Sequence, residues 1–510
     1  MNTPYAHTPS SESGLHAGSL VMVNIEGTSL SAVQADFLRR HHIRAVCLFR
    51  ANLGTEDEVK QLTAELREVM GPHALIGLDQ EGGSVVRATF LPQAPAAMSL
   101  GATGDATLCE EVGAAVARGL RCLGINWDFA PVLDVNNNPH NPVIAERSFG
   151  ADPEEVARLA AAWMHGALRE GVACCVKHFP GHGDTHVDSH LDLPVVDKPR
   201  AALEALELLP FRVLKDAAPA MMTAHIVYPQ LDPRHPATLS RAVLGDLLRR
   251  EWGYEGVVIT DSLVMKAIHE RYGHDRAAVM ALDAGADMVM ALGSFEEQAA
   301  AIEAIQAALA DGRLDAAACR RAQARLDALA ERYPVVHKDY DPELRARDDR
   351  LMRRGWARGL TLCGLARSPA PGSRVRLIAQ QHVPCDGVSE AGLDGERIAE
   401  LLARHFDVEV VLVKDLRAMR WTELPGDDRF NVLASNHRLR YPPQARETWQ
   451  PDLHLVLWNP FQVLDVAAPA VVTWGYAEGA LQALDQWLAG SGRAEGRAPV
   501  SLHTLDIPLN

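Results

Sequence analysis

The chain has 510 residues, 47% of them apolar and 23% charged, with a formal net charge of -16. That length exceeds one ordinary domain, and the apolar content is enough for two cores. The acidic balance argues against nucleic acid or an anionic membrane as a partner, because both are bound by basic surfaces.

Eight cysteines are scattered without a CxxC pair. Cys174 and Cys175 are neighbours in a predicted strand and so face opposite ways, which fits reduced thiols in a cytosolic protein. The first 18 residues have neither a basic start nor an apolar centre, so no signal peptide is expected. No apolar run is long enough for a membrane helix. The expected location is the cytoplasm.

Strand-like apolar runs alternate with amphipathic runs from residue 20 to residue 310. The predicted strands are residues 20–25, 45–49, 74–78, 125–132, 172–176, 220–223, 256–260 and 287–291. Alanine- and leucine-rich helical stretches at 55–70, 106–123, 153–170, 199–216 and 241–252 separate them, and a helical pattern at 299–332 closes the region. Eight such units predict an α/β fold, a (β/α)8 TIM barrel, over residues 1–335. No GxGxxG follows a strand, which disfavours an open dinucleotide-binding sheet. Residues 336–350 read as a linker. Residues 351–510 read as a smaller α/β domain, αβα sandwich-like, with an open sheet. Its predicted strands are 374–379, 408–413, 454–458 and 471–474, and its helices are 396–405 and 478–490.

Barrel enzymes carry their chemistry just after the carboxyl ends of the strands. Here the third strand is followed by Asp79-Gln-Glu-Gly-Gly83 and Arg87, and the fourth runs into Asp128 and Asp134. The fifth is followed by Lys177 and His178, the sixth by His225 and the seventh by Asp261. Ionisable groups at five successive strand ends point to a polar, saccharide-sized site. The densest stretch is Lys177-His-Phe-Pro-Gly-His-Gly-Asp-Thr-His-Val-Asp-Ser-His190, with one lysine, four histidines and two aspartates in fourteen residues. Pro180, Gly181 and Gly183 forbid a helical metal pair there, and the spacing matches no standard zinc pattern. A metal site on alternate residues from His182 to His190 is a lesser alternative, and a structural loop is the other. In Asp188-Ser189-His190 the carboxylate can fix the tautomer of the ring and raise its basicity. Asp261 by itself can be a nucleophile, a metal ligand or a helix N-cap, and taken alone the cap is the favoured reading.

Together these residues resemble glycoside hydrolase family 3, in its β-N-acetylglucosaminidase branch. The resemblance rests on the loop from Lys177 to His190, on Asp79-Gln-Glu-Gly-Gly83 with Arg87, on Glu146-Arg-Ser-Phe149, on Met222-Thr-Ala-His225 and on Val257-Val-Ile-Thr-Asp261. It covers about residues 15–330. It implies a retaining exo-β-N-acetylglucosaminidase that hydrolyses terminal β-linked N-acetylglucosamine, from muropeptides or chitin fragments, through a covalent glycosyl-enzyme. Asp261 would be the nucleophile, and His190 the acid/base with Asp188 as its partner. Asp79, Arg147, Lys177 and His178 would bind the sugar, with His182 close by. No cofactor and no metal are implied; the expected partner is a small saccharide, with neither nucleic acid nor membrane. The alternatives are a phosphorylase taking phosphate as acceptor, a β-glucosidase-type hydrolase of the same family, a metal-dependent hydrolase and a non-catalytic sugar-binding protein. The second domain is expected to supply no catalytic residue, and its loops to fall short of the site.

Overall fold

The computed structural model describes residues 14–188, 192–385 and 387–502. Its first part is the expected barrel. Eight strands close on themselves: β1 (Val21–Asn24), β2 (Ala45–Cys47), β3 (Leu75–Leu78), β4 (Trp127–Asp128), β5 (Ala173–Phe179), β6 (Ala220–Thr223), β7 (Val257–Ser262) and β8 (Met288–Met290). Each pairs in parallel with its neighbours in sequence, and β8 pairs with β1. All eight strands end on the same rim.

Two predicted strands differ from the observed ones in a way that bears on the site. The fourth keeps a continuous ladder only at Trp127–Asp128, with a separate bridge from Val132 to Lys177 beyond Pro131, which has no N–H for a ladder. The fifth runs on to Phe179, so Lys177 and His178 stand on the strand itself and not on the loop after it. Two predicted helices are broken. The 199–216 stretch divides into Arg200–Ala205 and Leu209–Leu214, with Pro210 opening the second piece. The 299–332 pattern divides into Phe295–Ala310 and Ala316–Arg332, separated by a turn at Gly312 (φ 77°) and restarted by the Asp315 side chain.

The second part is a mixed sheet of six strands: β9 (Thr361–Cys363), β10 (Arg374–Gln380), β11 (Asp407–Val413), β12 (Phe430–Ser435), β13 (Leu453–Val456) and β14 (Ala470–Val472). Their spatial order is β9-β14-β13-β12-β10-β11, and only β9 runs antiparallel. Helices Gly395–Ala403 and Glu478–Leu488 cover one face through Ile398, Leu402 and Leu484. Tyr441, Ala445 and Trp449 cover the other. The sequence pattern missed β9 and β12. β9 has only three residues, and β12 mixes polar and apolar residues at one end.

The helix Pro342–Gly359 joins the two parts. Its Asp348 takes a bidentate pair from Arg118 of the barrel at 2.7 and 2.8 Å, and its Arg345 reaches Glu56 at 2.6 Å. Its Trp356 is buried between the domains, and the indole N–H donates to the Gln93 carbonyl at 3.1 Å. Gly475 and Gly479 let the second domain close on that ring, since a Cβ at either would lie 2.5 Å from it. Trp356→Ala should therefore cost about 3–5 kcal/mol of stability, the range for deleting a large buried aromatic. Urea denaturation followed by tryptophan fluorescence checks this; a loss below about 1 kcal/mol would mean the junction is not a packed core.

Candidate active site

A cavity of about 430 Å³ opens at the rim formed by the carboxyl ends of the barrel strands. Asp79, Arg147, Lys177, His178, His182 and Asp261 all line it, as does Arg87. Six predicted residues from four parts of the sequence thus meet in one place. Asp188 is described but is not on the lining, and His190 lies outside the described residues.

The polar side of the cavity is one ion network. Lys177 projects from β5 and lies 2.6 Å from both Asp79 and Glu81. Arg147 makes a fork with both Glu81 oxygens at 2.8 and 2.9 Å. Arg87 reaches Asp79 at 3.3 Å and Glu390 at 2.9 Å. Burial alone would raise Asp79, but the charges of Lys177 and Arg87 outweigh it and hold the carboxyl well below its usual range. Glu81 follows the same logic with Arg147 and Lys177, and falls to about 2. Burial opposes the charge on Lys177, yet the two carboxylates raise its pKa. Glu81 was not among the expected site residues. Its signal was its place two residues after Asp79 in the same glycine-bearing motif.

His178 is held by Asp134. The ring Nδ1 lies 2.7 Å from Asp134 Oδ2, and the backbone N–H groups of His178 and His182 donate to Oδ1 at 3.2 and 2.6 Å. A neutral ring with Nδ1–H directed at the carboxylate would present Nε2 as an acceptor for a hydroxyl. Burial would raise Asp134, but His178 and the His182 N–H lower it on balance. His182 sits 3.0 Å from the Thr185 hydroxyl, and burial, with His178 beside it, lowers its pKa to about 4. It is therefore neutral at any ordinary pH.

The loop after β5 is clamped over its first half. Asn141 donates to the carbonyls of His182 and Gly183 at 2.7 and 3.0 Å, and the Tyr228 hydroxyl donates to that of Gly181. Gly183 lies against the Val135 carbonyl so closely that a Cβ would stand 1.6 Å from its oxygen. Asp184 pairs with Lys198 at 2.6 Å, while exposed His186 rests against Asn138 at 3.2 Å. These side chains turn to separate partners. Among the described residues no group of three or more His, Cys, Asp or Glu side chains is arranged to hold a metal.

Asp261 ends β7 and accepts the Ser262 N–H at 2.7 Å. It caps no helix: the next one begins at Lys266 with Met265 in the cap position, which removes the capping alternative. His225 does not line the cavity. One of its ring nitrogens lies 2.9 Å from the Ser262 carbonyl and the other 2.8 Å from the Thr238 hydroxyl, so it fixes the segment that carries Asp261.

The second domain does reach the site, against expectation. Gly387 and Val388 line the cavity, and Glu390 pairs with Arg87. Val388 packs with Val85, Val143 and Ile144 in a small apolar cluster. This contact spans roughly three hundred residues of sequence, so no local pattern could announce it.

An eight-stranded parallel barrel with a charged cavity at this rim is the layout of a (β/α)8 enzyme. The chain belongs to glycosyl hydrolase family 3, whose N-terminal domain matches residues 15–329. A β-hexosaminidase of Alkalilimnicola ehrlichii is 40% identical over 278 residues, 53% of this chain and 79% of that protein. The solved family 3 β-N-acetylglucosaminidase from Paenibacillus sp. str. FPU-7 is 35% identical, with a TM-score of 0.85, covering 95% of this chain and 98% of that one. Native NagZ from Neisseria gonorrhoeae is 33% identical with a TM-score of 0.52, over 61% of this chain and 97% of its own.

One buried acid at the rim of β4 behaves unlike the rest. Burial, reinforced by Asp79 and Glu81, pushes Asp128 up to about 8, although Gln80 N–H donates to its Oδ1 at 3.0 Å. The folded protein thus keeps a proton that the unfolded chain releases near pH 4, so stability falls as pH rises from about 4 to 8. Asn cannot ionise and escapes that penalty. Asp128→Asn should gain on the wild type by on the order of 1–3 kcal/mol between pH 5 and pH 8. Denaturation curves at the two pH values read this directly; a pH-independent difference would show that Asp128 is ionised in the fold.

Proposed function

We propose that the protein is a retaining exo-β-N-acetylglucosaminidase that removes terminal β-linked N-acetylglucosamine from muropeptides or chitin fragments. The observation that carries this reading is that Asp261 shares one cavity with Asp79, Arg147, Lys177 and His178. Family membership and the likeness to a β-N-acetylglucosaminidase over nearly the whole chain support it. A volume near 430 Å³ is at the small end for ligand pockets and suits a single terminal sugar. Among the described residues no helix is long and apolar enough to cross a membrane. The proposed location is the cytoplasm.

In the proposed mechanism the network around Lys177 and the Nε2 of His178 grip the hydroxyls of the sugar. The Asp261 carboxylate attacks the anomeric carbon while His190 protonates the departing glycosidic oxygen. The bond from Asp261 to C1 forms, the bond from C1 to the leaving oxygen breaks, and an ester results. His190, now neutral, takes a proton from water, whose oxygen attacks C1 and frees Asp261. Two inversions retain the β configuration. Asp188 orients His190 and stabilises its charged form. Because the proposed acid/base is an imidazole and carries no negative charge, an anionic acceptor is not repelled in the second step. Phosphate is therefore the acceptor to test against water.

The experiment is turnover of 4-nitrophenyl N-acetyl-β-glucosaminide in phosphate and in a non-phosphate buffer. Free N-acetylglucosamine, formed first as the β anomer in both, is the expected result. N-acetylglucosamine 1-phosphate appearing in phosphate alone would assign a phosphorylase, and no turnover would overturn the reading. Asp261→Ala should lower kcat at least about a thousandfold while N-acetylglucosamine still binds. His190→Ala should lose about a hundredfold or more on a saccharide but far less on a 2,4-dinitrophenyl glycoside, whose leaving group needs no proton. Equal losses on both substrates would remove His190 from the proton transfer.

A further inference from the structure

The parallel strands of the second sheet run β14-β13-β12-β10-β11 in space, so the order reverses between β10 and β12. In an open α/β sheet the crevice beyond the carboxyl ends of the strands at such a reversal is where ligands bind. Here that crevice meets the barrel instead. The segment after β10 carries Val388, Ser389 and Glu390, and the one after β12 carries Arg438. Arg438 donates to the Val143 carbonyl at 2.9 Å, and Val143 lines the cavity.

The loop with Glu390 is anchored by its backbone. Glu390 N–H donates to the Ser84 carbonyl at 2.9 Å, and the Tyr476 hydroxyl donates to the Glu390 carbonyl at 3.1 Å. Its side chain is therefore not needed to dock the loop. That side chain takes Arg87 at 2.9 Å, while Arg87 stands only 3.3 Å from Asp79 Oδ2 and Lys177 is 2.6 Å from Oδ1. Arg87 is thus divided between two carboxylates and holds the one from the other domain more tightly.

We infer that Glu390 of the second domain is a positioning residue for the sugar site: it holds Arg87 to a long 3.3 Å contact with Asp79 Oδ2 and so leaves that oxygen able to accept a substrate hydroxyl as well. This rests on the proposed sugar-binding role of Asp79. Without the charge at 390, Arg87 would close into a fork on Asp79, the geometry that guanidinium and carboxylate prefer. The hydroxyl would then compete with a shorter, tighter ion pair for the same oxygen.

Glu390→Gln keeps the shape and removes the charge. On whichever aryl β-glycoside the wild type turns over, it should raise KM about tenfold and leave kcat within about threefold, the signature of lost binding to both ground and transition states. Glu390→Asp should recover part of the loss. Tyr476→Phe, which loosens the same loop without touching Arg87, should leave KM within about twofold. Thermal unfolding of all three variants reports loop docking separately. An unchanged KM in Glu390→Gln would overturn the inference, as would an equal rise in Tyr476→Phe, which would reduce Glu390 to a docking contact. Wild-type activity on the glucosaminide tests the functional reading itself, so the two failures are distinct.

Discussion

The structure depends on keeping one ammonium charged out of water. Lys177 is 2% exposed, and a lysine so placed would lose its proton if it stood alone. Two carboxylates at 2.6 Å prevent that, and each brings a further cation: Asp79 brings Arg87, and Glu81 brings Arg147. Glu390 completes the set, giving three acids and three bases with no net charge. Ion pairs of this kind add little net stability, but removing one member strands a buried charge and is costly. Their use is geometric. They fix donors and acceptors in the cavity in advance, so that a ligand entering it would need little reorganisation of the protein.

That requirement explains why the pieces around the cavity are rigid. Lys177 and His178 stand on β5, where the barrel ladder holds them, and Asp134 anchors the ring of His178 and the turn that follows. Asn141 and Tyr228 pin the glycine-bearing segment, and Gly183 permits an approach to Val135 that no side chain would allow. On the opposite side His225 ties the ends of β6 and β7 together next to Asp261. The loop toward Asp188 begins only beyond this clamp.

The second domain belongs to the same design. Its sheet applies its binding end to the mouth of the barrel, and Trp356 locks the two bodies in register. A likeness that covers 95% of the chain with one relative, against 61% with another, shows that the barrel occurs with and without this roof in solved structures. Among the described residues the roof contributes Gly387 and Val388 to the cavity lining and Glu390 to the ion network through Arg87.

The sequence by itself determined the barrel and singled out side chains that the fold brings to one cavity. Apolar runs of strand length, spaced by amphipathic helices, are local signals, and the rule that chemistry follows the strand ends then located Asp79, Lys177, His178 and Asp261. Its resolution was coarse where local signals conflict: Pro131 shortened a strand, Pro210 broke a helix, and the apolar run of β5 continued through two ionisable residues, Lys177 and His178, that find partners only across the barrel. Tertiary structure alone decided which charges pair. Glu81 turns inward to Arg147 and Lys177, Asp134 takes His178, and Glu390 reaches Arg87 from another domain. The physical reason is that periodicity is read along the chain, whereas the energy of a charge is set by what lies within a few ångströms, and in this fold Arg87 and Glu390 are neighbours across 303 positions.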